Sequence, residues 1–170
     1  MMKDIRTAVL GGLTIAVLMT AGAGAQAADA PDTATVLGKL HKSNQKEIAA
    51  GKLAQKSGKS REVKAYGKML EKDHGAADKK VAALAKQEKI DLGAPADADG
   101  DMSGMASDPM FDKKFAQDML ADHKKDIGEA TDARDHTADA KLKKLLSDLL
   151  PTLQKHQDAA QKIVDAEAKK

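Results

Sequence analysis

Residues 60–88 read SREVKAYGKMLEKDHGAADKKVAALAKQE, and their pattern decides the fold. Apolar side chains recur every three or four residues, which is the spacing that places them on one face of an α-helix. Ser60 stands where a helix N-cap is expected, and no proline interrupts the run. The stretch therefore predicts a long amphipathic helix whose buried face consists of Val63, Tyr66, Gly67, Leu70, Ala77, Val81 and Leu84.

The same spacing continues on both sides of this helix. A first helix is predicted over 33–57, and Gly58 ends it, so the first two helices form an antiparallel hairpin. A third helix is predicted over 109–134, with Asp108 as its N-cap and proline at its first position. A fourth is predicted over 138–166, with a kink at its internal proline. The predicted buried faces of these three helices include Leu37, Leu40, Ile48, either Phe111 or Phe115, Met119, Ile127, Leu142, Leu146, Leu149 and Ile163.

The two predicted hairpins are separated by a long linker, residues 89–108, which is rich in Asp, Gly and Ala. Helices of about 26 residues are about 39 Å long, and about twenty residues of linker suffice to return along that length. We therefore predict an all-α, ferritin-like four-helix bundle, in which two antiparallel helix hairpins are joined by a long crossover linker. A simple up-down-up-down bundle with a loose middle loop is the alternative.

The N-terminal segment has the layout of a secretory signal peptide. Lys3 and Arg6 precede an apolar stretch over 7–23, and the small residues of Ala25-Gln26-Ala27 suit cleavage after Ala27. An uncleaved membrane anchor is the alternative, although three glycines weaken the apolar stretch. We expect residues 1–27 to be a signal peptide, residues 28–170 to form a single domain with no transmembrane segment, and the protein to act in the periplasm. Association with the outer membrane or secretion are further options.

The charge balance and the absence of cysteine restrict the possible partners. The formal net charge of the whole chain is +2, and it becomes +1 when the signal segment with Lys3, Arg6 and Asp4 is removed. Nucleic acid is therefore not an expected partner, because phosphate binding needs a clustered basic excess. The chain has no cysteine, so packing or a ligand must supply the stability that disulfides give to many exported proteins.

Polar residues interrupt the apolar stripe of each predicted helix near its middle. The first predicted helix has His41, Asn44 and Glu47. The second has His74, the third has His123, and the fourth has His156. His136, in the predicted turn, is the histidine outside this pattern. Residues at the middle of all four helices share the central layers of a bundle, where bundle proteins build metal and cofactor sites.

The residue types in this layer suit a transition metal. Imidazole and carboxylate together bind iron, zinc, manganese or copper. Glu71 precedes His74 by three residues, the spacing that di-iron bundles use twice, but here the motif occurs once. Our candidate metal ligands are Glu47, Glu71, His74, His123 and His156, with His41 as a further candidate. The alternative is a polar network that fixes the register of the helices without metal.

The segments around these residues resemble a bacterial exported family catalogued as domain of unknown function 4142, whose members are often labelled putative outer membrane proteins. The resemblance rests on NQKEIAAGKLA (44–54), Val63, Met69, Asp73-His74, Phe111-Asp112, Asp122-His123 and LPTLQKH (150–156). It implies a ferritin-like bundle in the cell envelope, with Glu47, His74, His123 and His156 at the positions of the family's motif. It implies no established activity, and the sequence has no alternating strands that would predict a barrel.

The motifs of common enzyme classes are missing. There is no cysteine nucleophile, no Gly-x-Ser-x-Gly elbow and no phosphate-binding glycine loop. We expect a non-enzymatic envelope protein that contributes to stress tolerance or partner binding, with a central layer that binds a transition metal. Its partners would be a metal ion or another envelope protein, and a homodimer is an open option. The alternative is a ferritin-like metal-dependent oxidase or metal-storage protein.

Overall fold

The chain folds into four long helices, as the periodicity predicts. The computed structural model describes residues 32–94 and 103–169. Within them lie α1 (Thr33–Ser57), α2 (Arg61–Glu88), α3 (Phe111–His136) and α4 (Ala140–Glu167), and one 3-10 turn at Ser103–Met105 precedes α3. The predicted signal peptide (1–27) and the middle of the predicted linker lie outside the described residues.

Side-chain caps define where three of the helices begin. The carboxylate of Asp32 accepts a hydrogen bond from the backbone N–H of Thr35 (2.9 Å) at the start of α1. The hydroxyl of Ser60 accepts from the N–H of Val63 (3.2 Å) at the start of α2, as predicted. Asp139 accepts from two backbone N–H groups at the start of α4. Each cap satisfies donors that a helix N-terminus otherwise leaves unpaired.

The predicted start of α3 is wrong by two residues. Asp108 does not cap the helix: its Oδ1 accepts from the N–H of Met110 (2.7 Å), and its carbonyl accepts from the N–H of Phe111 (3.1 Å). This local bonding folds residues 108–110 into a turn, and α3 begins at Phe111 without a side-chain cap. The connection between α3 and α4 also lies later than predicted, because α3 continues to His136 and α4 begins at Ala140.

Contacts at the helix ends fix the direction of each helix. The carboxylate of Asp112, at the start of α3, accepts from the backbone N–H groups of Lys59 (2.8 Å) and Ser60 (2.7 Å) at the start of α2. Lys141, at the start of α4, donates to Glu88 at the end of α2 (2.6 Å). The helices α2 and α3 therefore begin at the same end, and the connection between them spans the length of the bundle. These helix directions confirm two antiparallel hairpins joined by a crossover and exclude the up-down-up-down alternative. A relationship to ferritin-like proteins stays a prediction.

The buried residues form two apolar halves separated by a polar layer. The aromatic half is built around three rings and their neighbours: Tyr66, Phe111, Phe115, Leu70, Met119, Ala160 and Ile163. The aliphatic half contains only aliphatic side chains: Leu37, Ala77, Val81, Leu84, Ala130, Ala133, Leu142, Leu146 and Leu149. Phe111 and Phe115 are both buried and stack at 5.5 Å, whereas the predicted core residues Ile48 and Ile127 are half-buried. None of the described helices carries a stretch apolar and long enough to cross a membrane.

Two glycines allow α1 and α2 to pack closely. A Cβ atom on Gly51 would lie 2.6 Å from the carbonyl oxygen of Gly67, and a Cβ on Gly67 would lie 2.6 Å from the carbonyl oxygen of Gly51. No side chain fits at either position, because the obstacle in each case is rigid backbone. The first hairpin thus depends on glycine at this crossing.

Candidate metal centre

The polar layer at the middle of the bundle brings three histidines together from three helices. His74 of α2, His123 of α3 and His156 of α4 are at most 3% exposed. One ring nitrogen of each histidine lies within 4.8 Å of a ring nitrogen of the other two. Among the described residues, these three side chains are close enough to bind one metal ion together. The ring centroids are 5.0 to 5.6 Å apart. We call these three residues the histidine cluster.

Three nitrogens point toward the centre of the histidine cluster. The Nδ1 atom of His156 lies 3.2 Å from Nε2 of His123 and 3.2 Å from Nε2 of His74. These three atoms are called the inner nitrogens. A tetrahedral ion with bonds of about 2.0–2.1 Å to nitrogen separates its ligand atoms by about 3.3 Å, so two of the three spacings already match those of a bound metal.

The other nitrogen of each ring is bonded to an oxygen atom. Nδ1–H of His123 donates to the carbonyl oxygen of Met119 (2.9 Å), and Nδ1–H of His74 donates to Oδ1 of Asn44 (2.9 Å). Nε2–H of His156 donates to the carboxylate of Asp73 (3.1 Å). Because these oxygens only accept hydrogen bonds, each outer nitrogen carries the proton and each inner nitrogen presents a lone pair.

This arrangement is the one that metal sites use. Outer-shell acceptors fix the tautomer and the orientation of a histidine ligand and increase its basicity. Without an ion, three lone pairs face one another and none can donate a hydrogen bond to another. The histidine cluster is therefore poorly satisfied as a hydrogen-bond network, and the inner nitrogens fit a cation.

Burial keeps all three rings neutral. Desolvation, followed by the neighbouring rings of His156 and His123, lowers the pKa of His74 to about 2. Desolvation lowers the pKa of His156 to about 4 against the opposing effect of its hydrogen bond to Asp73, and it also lowers the pKa of His123. Near neutral pH the lone pairs of the inner nitrogens are consequently not covered by protons.

Glu47 lies beside the histidine cluster rather than within it. Its Oε1 is 3.8 Å from Nδ1 of His123, which is an outer nitrogen, and the side chain is 2% exposed. Burial, reinforced by the carboxylates of Asp126 and Asp122, raises the pKa of Glu47 to about 8. In the absence of metal this carboxyl group is therefore mostly protonated at neutral pH.

Unpaired polar atoms collect around the same layer. Among the described residues, the buried side-chain atoms without a hydrogen-bond partner are Nδ2 of Asn44, Oε2 of Glu47 and Oη of Tyr66. The ring of Tyr66 contacts that of His156 edge-on, with centroids 6.5 Å apart. Buried polar groups in proteins are nearly always paired, and three unpaired atoms in one region are the pattern expected around a site for an ion or ordered water.

Besides Glu47, two more candidate ligands, Glu71 and His41, lie outside the cluster. Glu71 accepts a hydrogen bond from Gln55 (2.7 Å), next to the close crossing of α1 and α2, because the side chain faces α1 instead of the bundle centre. His41 pairs with Asp78 across the first hairpin (2.7 Å). His136 is exposed at the end of α3, also away from the cluster.

The sequence predicted candidate ligands on all four helices, and the structure brings together the histidines of α2, α3 and α4. The hydrogen-bond acceptors behind the three rings were not predicted. Asp73 precedes His74 in the sequence but accepts a hydrogen bond from His156 of α4, because neighbouring residues on a helix point about 100° apart. Asn44 was identified as an intruder in the apolar stripe but was not assigned to the site. The carbonyl of Met119 carries no signal in the sequence, since every helical residue has one.

A comparison with known protein families assigns most of the chain to a family. A family model described as Domain of unknown function (DUF4142) matches residues 18–163, a span that includes the histidine cluster and Glu47. Neither the curated proteins nor the solved structures contain a match to the chain.

Proposed function

The chain belongs to the family described as Domain of unknown function (DUF4142), and on that premise we propose that it binds one transition-metal ion in the histidine cluster. The observation that carries this proposal is the convergence of three inner nitrogens whose protons are held on the opposite side of each ring by Met119, Asn44 and Asp73. The ligands would be Nε2 of His74, Nε2 of His123 and Nδ1 of His156.

The donor set favours zinc, copper or iron over manganese. Three neutral imidazoles suit zinc, copper and iron, whereas manganese prefers carboxylate and water oxygens. The carboxyl groups of Glu47 and Asp73 lie behind the rings of His123 and His156, where they offset part of the charge of the ion without ligating it. A dication at this position would stabilise the ionised form of Glu47, so we expect metal binding to release a proton near neutral pH.

The wider role follows the sequence prediction. We propose an exported envelope protein in which the metal-bearing bundle contributes to stress tolerance or binds another envelope protein. Support comes from the N-terminal segment 1–27 and from the family resemblance. The alternative function, a metal-dependent oxidase, would need a coordination position on the metal that is open to substrate. Storage of many metal ions is less favoured, because the described part of the chain offers one small group of three ligands.

The experiment is metal analysis of the mature protein, purified without an affinity tag and also reconstituted with iron, copper, zinc and manganese. We expect near one ion per chain in the wild type and in the control variant His136→Gln, whose exposed side chain lies outside the cluster. His123→Gln and His156→Gln should lose the ion while keeping a helical circular-dichroism spectrum. Metal absent from the wild type after reconstitution, or equal metal in all variants, would refute the proposal.

A further inference from the structure

A large cleft opens in the aliphatic half of the bundle, beside the polar layer. Its volume is about 480 Å³, and all four helices contribute to its lining. Protein interiors contain few voids larger than one water molecule, whereas pockets for small ligands have volumes of about 300–1,000 Å³ and occur between the helices of bundles. The size of the cleft is therefore that of a binding site.

Short side chains create this space. Ala77, Ala130 and Ala133 stand on its walls, and the aliphatic half contains no aromatic side chain among the described residues. The remaining wall is made of leucines, including Leu40, Leu146 and Leu149. A surface of methyl and isobutyl groups recognises an aliphatic or otherwise apolar body.

The inner part of the cleft carries a free donor. Asn44 lines the cleft next to His74, is 5% exposed, and uses Oδ1 to accept from His74. Its Nδ2 group has no partner and is itself almost inaccessible, so a ligand reaches it only when neighbouring side chains shift slightly. A ligand that places a hydrogen-bond acceptor, such as a carbonyl oxygen, against Nδ2 would satisfy a group that is otherwise costly to bury.

The rim does not select for charge. Lys39, Lys80 and Lys155 stand against the carboxylates of Asp126, Glu129 and Asp132, and the fourth carboxylate of the lining, Asp73, is already bonded to His156. A balanced rim gives no net attraction to an anionic or a cationic head group. The ligand that matches both the walls and the rim is uncharged.

We propose that this cleft binds a small, neutral, mainly apolar molecule with one hydrogen-bond acceptor directed at Asn44. The proposal concerns a second ligand beside the metal and does not rest on the metal being bound.

The test uses two fluorescent probes with the purified full mature chain, measured with and without a chelator. The naphthyl ketone prodan carries an acceptor, and the hydrocarbon diphenylhexatriene does not. Both should bind with a blue shift or increased emission, and the chelator should leave binding in place. Ala76→Trp, at an exposed position of α2 that lines the cleft, should weaken both probes by at least about tenfold by filling the space.

Two further variants make the result specific. Ala82→Trp is the matched control, an exposed alanine of α2 that does not line the cleft, and it should bind both probes like the wild type. Asn44→Ala should lower the affinity for prodan relative to diphenylhexatriene by about fivefold, which is the contribution of one net hydrogen bond. The proposal is overturned if neither probe binds, or if Ala76→Trp binds like Ala82→Trp. An unchanged affinity ratio in Asn44→Ala overturns the role given to Asn44.

Discussion

The buried carboxyl group of Glu47 should make the stability of the metal-free protein depend on pH in a direction opposite to that of ordinary glutamates. Its pKa is about 8 in the folded bundle and about 4.5 in the unfolded chain. Because the folded pKa is raised, the stabilisation is fully present below the unfolded pKa and is lost as pH rises through about 8. Each pH unit between these values lowers the free energy of unfolding by about 1.4 kcal/mol.

The histidine cluster should make the stability of the metal-free protein depend on pH below about pH 6.5. The pKa values of His74 and His156 are depressed to about 2 and about 4, so their unfolded forms bind protons below about pH 6.5 while the folded forms stay neutral. Stability from these rings is therefore lost as pH falls below about 6.5. Together with Glu47 this predicts a stability maximum near pH 6.5, above which Glu47 dominates.

The perturbation that isolates the effect is Glu47→Gln, which keeps the shape and removes the titration. Over the 1.5 units from about pH 6.5 to 8, the wild type should lose about 2 kcal/mol relative to the variant. Chelator-treated proteins would be unfolded in urea at several pH values, and the difference in unfolding free energy would be plotted against pH. Glu129→Gln, at an exposed glutamate of α3, serves as the control and should follow the wild type. A wild-type-minus-variant difference that stays constant over this range would refute a raised pKa at Glu47.

Three other changes test the fold and the site. Gly51→Ala should destabilise the protein by about 2–4 kcal/mol, because the added Cβ meets the backbone of α2. Gly128→Ala, which has open space around it, should stabilise the protein by about 0.5–1 kcal/mol. Thermal or urea unfolding measures both changes, and equal effects would contradict the close crossing of α1 and α2. Asp73→Ala should weaken metal binding by about 10–100-fold in titration calorimetry, since it removes the acceptor behind His156, and an unchanged affinity would argue against that tautomer. Asp112→Ala should cost about 2–3 kcal/mol of unfolding free energy by leaving two backbone N–H groups at the first hairpin turn without their carboxylate, and a loss below about 0.5 kcal/mol would show that the contact is dispensable.

The architecture was predictable because a helix repeats its face every three to four residues. That repeat located all four helices, and the polar interruptions at His74, His123 and His156 located the layer that holds the cluster. The start of α3 was not predictable in the same way, since Asp108 can either cap a helix or close a turn with Met110, and the two outcomes differ only in local backbone geometry.

Details of the site depend on helix rotation and side-chain conformation, which spacing alone does not give. Glu71 shares a helix face with His74 at the level of sequence, yet the rotation of α2 at the glycine crossing turns Glu71 toward Gln55. The pairing of Asp73 with His156 joins residues 83 positions apart. The cleft could not be predicted from the sequence either, because an alanine in a helical pattern does not show whether a neighbouring side chain fills the space beside it.

The crossover topology has a consequence for when the protein can acquire its ion. His74 belongs to the first hairpin, whereas His123 and His156 belong to the second. The donor set does not exist until the second hairpin has docked on the first, so the nascent chain cannot chelate in the manner of a short linear motif. If the histidine cluster binds an ion as proposed, binding would therefore follow the docking of the two hairpins. If the chain is also exported before it folds, as proposed, the metal ions available in the destination compartment and their intrinsic order of affinities would decide which ion is bound.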